Sequence, residues 1–251
     1  MERNDREKLQ GSDIEITPTS PFLKKLSDFW YYNKWKVIII TLFAIVIIVG
    51  IVQMATKEKY DLKVTVATHT IYYRENLTGL EASLVSLMPD DVNGDGKKNL
   101  QLSYYKIYSE AEMKEANEAE TDEYGYPVIY ADEAYNKSQM QEFNSYLMTG
   151  ECTVMILSEY LYNDLIGRRE EDILIKPLGE IFGEELPRGA MSDGYGVRLS
   201  ETDAYDFLEG FHFLPEDTVI CIMRPYAWGE SSNEEAYAAA LEYFKSIVTL
   251  G

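Results

Sequence analysis

Residues Val37 to Ala55 read VIIITLFAIVIIVGIVQMA, an apolar run in which Thr41, Gly50 and Gln53 are the only members that are not hydrophobic. At about 1.5 Å of rise per residue, roughly 19 residues span ~28 Å, close to the ~30 Å of a bilayer's hydrocarbon core. Only a helix satisfies its own backbone there. One Lys or Asp in the middle would cost about 2.5–3.5 kcal/mol on insertion scales, and none is present. The run therefore predicts one transmembrane helix, with a short tail before it and a domain of roughly 190 residues after it, enough for one ordinary hydrophobic core.

Met1 to Ser20 is polar, mixed in charge and without apolar periodicity, as expected of a disordered tail. From Pro21 to Lys36, Phe22, Leu23, Leu26, Phe29 and Trp30 recur at helical spacing, and Trp30, Tyr31, Tyr32 and Trp35 interleave with Lys34 and Lys36. That is the aromatic and basic belt of an interfacial segment. Lys24, Lys25, Lys34 and Lys36 precede the run and Lys57, Lys59 and Lys63 follow it. The small excess puts the N-terminus in the cytoplasm and the domain outside the cell membrane, and the lack of a cleavage pattern makes the helix a retained signal-anchor.

Charge is unevenly spread. Met1 to Lys59 carries 9 Lys/Arg against 7 Asp/Glu, and the remainder 14 against 36, within a chain of net charge −20. An acidic domain repels phosphate backbones and anionic lipid heads, which excludes nucleic-acid binding and favours divalent cations and basic partners. Cys152 and Cys221 sit inside apolar runs, CTVMILS and TVICIMR. Two buried hydrophobes or one cross-strand disulfide fit that placement.

Beyond Tyr60 the periodicity alternates. YDLKVTVAT reads as a strand, Asn76 to Met88 as a helix, and NLQLSYYKIY as a strand. Ser109 to Glu123 is either an exposed helix or an insertion. Asp132 to Thr149 reads as a helix stopped by Gly150, Cys152 to Leu157 as a central strand, and EYLYNDLI as a helix with Ser158 as its N-cap. Gly167 to Gly196 is mostly loop, Tyr195 to Leu199 a strand, and Ser200 and Asp203 flank a capped turn. Thr218 to Arg224 is a further strand, and Asn233 to Thr249 the last helix. Alternation of strands and helices predicts a three-layer α/β domain with a mostly parallel sheet, spanning residues 60–251.

Asp91-Val-Asn93-Gly-Asp95-Gly-Lys97 places oxygen side chains at alternate positions, with a glycine where the backbone must turn. Asp91, Asn93, Asp95 and the Lys97 carbonyl can converge on one calcium ion; the same residues also form an Asx turn without any ion. The stretch resembles the loops of EF-hands and of dockerin modules in clostridial cell-surface proteins, which implies a structural calcium. It departs from them at the twelfth position, where Leu102 replaces an acidic residue, so a further ligand such as Asp90 is needed.

The order helix, Gly, apolar strand, Ser, helix in Glu142 to Ile166, EFNSYLMTGECTVMILSEYLYNDLI, followed by Lys176-Pro177-Leu178, resembles part of the first lobe of type 2 periplasmic solute-binding proteins. That resemblance implies a ligand cleft near Ser158 and Glu159; as a plain helix cap, Ser158 has no such role. The whole layout resembles uncharacterised single-pass membrane proteins of clostridial gut bacteria, which implies no activity.

His69 and His212 are the only histidines, and no G-x-S-x-G, HExxH, phosphate-loop or dinucleotide pattern occurs. The sequence thus points to a non-enzymatic extracytoplasmic domain that binds a ligand or partner, tethered to the bilayer through Val37 to Ala55. A docking subunit without a small-molecule site is the alternative, and an acidic surface hydrolase the third.

Overall fold

The computed structural model describes residues 20–56, 60–70, 73–89, 91–118, 131–167, 173–227, 229 and 232–250. The chain divides into two units, Met1–Glu58 and Lys59–Gly251. In the first, α1 runs unbroken over Pro21–Thr56, 36 residues, or ~54 Å at helical rise. The aromatic belt and the apolar run are therefore one helix and not two segments, because no proline or glycine interrupts the hydrogen-bond ladder between Phe22 and Val49. Within it, Lys24–Gln53 is long and apolar enough to cross a membrane, with a mean hydropathy of 2.8. Ile38, Ile40, Phe43, Val46 and Ile51 all lie exposed along it. Such a surface is compatible with a membrane anchor or a signal sequence. The tail before Ser20 lies outside the described residues, as do Lys57 and Lys59.

The second unit is mixed α/β. Its strands are β1 (Leu62–Thr68), β2 (Leu100–Lys106), β3 (Val154–Leu157), β4 (Val197–Arg198) and β5 (Val219–Ile222). Its helices are α2 (Arg74–Ser86), α3 (Glu110–Glu118), α4 (Glu133–Leu147), α5 (Glu159–Ile166), α6 (Gly179–Phe182), α7 (Asp203–Phe207) and α8 (Glu234–Thr249). The sheet order is β2-β1-β3-β5-β4. β1 pairs in parallel with β2 and with β3, whereas β5 runs antiparallel to both β3 and β4. The expectation of a mostly parallel sheet thus describes the β2-β1-β3 half and fails at β5. An apolar run such as VICI is buried on both faces in either direction, so its composition carries no sign of its polarity.

Both faces of the sheet are buried at β1, β3 and β5, while the edge strand β2 is partly exposed. Val64, Val66, Val154, Ile156, Ile220 and Ile222 share a core with Leu80 and Leu84 of α2 and with Tyr243, Phe244 and Ile247 of α8. The alternate residues Ala67, Met155, Leu157, Val219 and Cys221 share the second core with Phe143 and Leu147 of α4 and Leu161, Tyr162 and Leu165 of α5. Each fully buried aliphatic side chain contributes about 1.5–3 kcal/mol by leaving water. Side chains also close helix ends: the Tyr243 hydroxyl donates to the Leu84 carbonyl (2.8 Å) and the Ser246 hydroxyl to that of Leu87 (2.9 Å). The Leu84 carbonyl also accepts from the Leu87 amide (3.2 Å), so the tyrosine adds a second bond at the end of α2 and the serine one just beyond it.

Several local expectations shift. α2 starts at Arg74, two residues before the expected start at Asn76. The turn expected between Ser200 and Asp203 is capped by Thr202, whose hydroxyl accepts from the Tyr205 amide. Cys152 and Cys221 are free thiols; Cys221 stands opposite Met155, three residues along β3 from Cys152. Lys63 belongs to β1 and its ammonium bonds Glu151. Residues 119–130, including the end of the expected Ser109 to Glu123 element, lie outside the described residues.

Candidate functional site

Two regions carry the residues singled out from sequence, and they lie at opposite ends of β1. At its start is the Asp91 loop. The Asp91 carboxylate accepts N–H bonds from Gly94 (2.7 Å) and Asp95 (3.2 Å) on Oδ1 and from Gly96 (2.6 Å) on Oδ2. Asn93 Oδ1 accepts from the Asp95 amide (3.0 Å), and Asp95 Oδ1 from that of Lys97 (2.9 Å). Gly94 and Gly96 have φ of 72° and 82°, where a side chain would be strained. The Gly96 amide above all, opposed in part by desolvation, holds the Asp91 carboxyl below the usual range.

The three side chains thus close the loop through the backbone. Leu102 of β2 is half-buried against the core and pairs with Val64, so the twelfth position supplies no ligand. Asp90 lies outside the described residues. Among the described residues no three His, Cys, Asp or Glu side chains converge as a metal cluster. Calcium would have Asp91, Asn93, Asp95 and the Lys97 carbonyl in this loop.

Asp61 was not visible as a partner of this loop. Its carboxylate, 7% exposed, accepts from the amides of Val92 and Asn93 (both 2.9 Å) and of Asn99 (2.8 Å). Asn99 returns both its side-chain and main-chain oxygens to the Asp61 amide. The loop is therefore bolted to the first residue before β1 by a buried carboxylate, at a sequence distance that no periodicity reveals.

At the other end, the carboxyl ends of β1 and β3 lie side by side where the chain reverses its direction of travel across the sheet. β1 leads to β2 on one side, and β2 then leads to β3 on the other. Such a switch point is where open α/β sheets bind ligands. Ser158, fully buried, follows β3 directly, and its amide donates to the Ala67 carbonyl (2.9 Å). It occupies the N-cap of α5 in extended backbone, but its hydroxyl makes no cap bond. Among the described residues the Ser158 and Thr218 hydroxyls are buried without a partner. The cap assignment therefore holds for the backbone and fails for the side chain.

Strand alternation splits Ser158 from Glu159. Ser158 continues the face of Val154 and Ile156, whereas Glu159 reaches Arg198, whose Nη1 donates to Glu159 Oε2 (2.9 Å) and to the Asp217 carbonyl (2.7 Å). Glu159 is thus engaged in a half-exposed ion pair. Thr68, the residue of β1 abreast of Ser158, and Thr218, abreast of it from β5, are both fully buried. Neither stood out in the sequence, because a Thr at a strand end is common and the cross-strand neighbour is known only from the register.

Of the two histidines, His212 is hydrogen-bonded and His69 Nδ1 meets a carboxylate without hydrogen-bond geometry. His69 Nδ1 lies 2.9 Å from Glu112 Oε1. Glu112 and Ser109 form a reciprocal capping box at the start of α3, with Ser109 N to Glu112 Oε2 at 2.6 Å and Glu112 N to Ser109 Oγ at 3.2 Å. His212 Nε2 lies 2.7 Å from the Tyr205 carbonyl. No family model matches the chain, and neither a curated protein nor a solved structure matches it.

Proposed function

We propose that the chain is a single-pass membrane protein that displays a non-enzymatic, three-layer α/β domain outside the cell, where it binds a small ligand at the carboxyl end of its sheet. α1 is the anchor, with the N-terminus cytoplasmic. Calcium in the Asp91 loop has a structural role in this reading, stiffening the connection from α2 to β2 at the end of the sheet remote from the ligand.

The observation that carries the ligand site is the Ser158 hydroxyl, buried and without a partner at the switch point between β1 and β3. Leaving a buried hydroxyl unbonded costs about 1–3 kcal/mol, a penalty that a ligand's polar atom would remove. The resemblance to one lobe of solute-binding proteins leads to the same edge. The test is a thermal-shift screen of small polar compounds on the full chain in detergent micelles. Compounds that raise the midpoint of the wild type and have no effect on Ser158→Ala support the reading. A screen in which every active compound acts equally on both proteins contradicts it.

A further inference from the structure

Asn93 is the one asparagine of the chain that precedes a glycine. Both residues are exposed, and a methyl group built on Gly94 would meet nothing within 4 Å. That combination is the chemistry of spontaneous deamidation, in which the nitrogen of a glycine, unshielded by any side chain, attacks the side-chain amide of the residue before it. Asp95-Gly96 repeats the arrangement two residues on, with a carboxyl group in place of the amide.

The loop itself holds that reaction back. Gly94 donates its N–H to Asp91 Oδ1 (2.7 Å), and Gly96 donates its own to Oδ2 (2.6 Å). The two nitrogens that could close a ring are thus each tied to one oxygen of a single carboxylate. Asn93 Oδ1, for its part, accepts from the Asp95 amide (3.0 Å). We propose that Asn93 is a modification site, converted to aspartate and isoaspartate when the loop opens, and that Asp91 sets the rate by holding the Gly94 nitrogen.

Water is the only co-reactant. The Gly94 nitrogen forms a bond to Asn93 Cγ, and its proton leaves with the side-chain NH2 group as ammonia. Water then opens the five-membered imide. Opening at the side-chain carbonyl gives aspartate; opening at the main-chain carbonyl gives isoaspartate, whose backbone runs through Cβ and Cγ. Before the attack the Gly94 N–H must leave a charged acceptor, a stronger partner than a neutral one. Losing that bond slows the step by at least about tenfold. Either product puts a new negative charge between Asp91 and Asp95, and isoaspartate also lengthens the loop backbone by a methylene. The extent of conversion thus records how long the loop has stood open.

The test is incubation of the full chain in detergent micelles, in mildly alkaline buffer with chelator, followed by digestion and mass spectrometry that assigns any change to residue 93. The folded wild type is expected to convert at least about tenfold more slowly than the same chain in urea. Asp91→Ala, its fold checked by circular dichroism, should approach the rate in urea. Asp91→Asn keeps the shape and one acceptor oxygen. It should fall between the two, and it carries the test if Asp91→Ala does not fold. No conversion in urea would overturn the site. A folded wild type that converts as fast as the chain in urea would overturn the protection, and folded Asp91 variants no faster than the wild type would overturn the part given to Asp91. Aspartate without isoaspartate would overturn the imide route, because direct hydrolysis of the side-chain amide gives aspartate alone.

Discussion

Replacing Asp61 by alanine removes the acceptor of three backbone N–H groups, at 2.8–2.9 Å, that bind the Asp91 loop and the start of β2 to β1. A hydrogen bond to a charged group is worth about 1.5–3 kcal/mol when both partners are buried. Val92 and Asn93 are exposed, so water replaces the carboxylate at those two amides, and the buried charge carried its own desolvation cost. The net loss is then about 2–4 kcal/mol. For a domain of this size each kcal/mol moves the midpoint by about 2–4 °C, which predicts a fall of roughly 5–15 °C. Asp61→Asn keeps an acceptor oxygen and should lose about half as much. Thermal unfolding of the full chain in detergent, followed by near-ultraviolet circular dichroism, measures both. A fall of less than about 2 °C for Asp61→Ala would refute the view that this carboxylate ties the loop down.

Calcium should raise the midpoint of the wild type relative to chelator by mass action, about 1.4 kcal/mol at ten times Kd, and Asp91→Ala with Asp95→Ala should abolish the difference. A calcium response that survives both substitutions removes the ion from this loop. Gly210→Ala places a methyl group against the Gly79 carbonyl and the Ser83 hydroxyl of α2. It should destabilise by about 1–3 kcal/mol in denaturant unfolding, whereas an unaltered midpoint would mean that the turn can move away. Burial pushes the Cys152 thiol up to about 12 and Cys221 well above its ordinary value. Both should stay unreactive toward a thiol reagent between pH 7 and pH 9 until denaturant is added, since the thiolate forms only above the raised pKa. Prompt labelling of either would show that its core is open.

The sequence exposes what repeats locally. Runs such as VIIITLFAIVIIVG, Phe143 and Leu147 one helical turn apart, and the buried VMIL and VICI strands announce their elements by apolar period alone. The Asp91 loop was equally legible, because its acceptors and the amides they bind lie within six residues. What stayed hidden depends on pairs far apart along the chain. β5 gives no sign of its direction, Asp61 meets Val92 and Asn99 across more than thirty positions, and Ser158 meets Thr68 and Thr218 only once strand order and register are known. The Glu159–Arg198 ion pair was hidden for the same reason, since its members stand 39 positions apart.

The central claim is that α1 is retained in a membrane and displays the second unit outside the cell. Protease added to intact cells producing the full chain, followed by fractionation and detection of both ends, measures this directly. The account predicts that the residue 60–251 domain is digested without permeabilisation, while a fragment containing Pro21–Thr56 stays with the membrane. A domain protected until the cells are opened, or recovered in the soluble fraction free of α1, would contradict it.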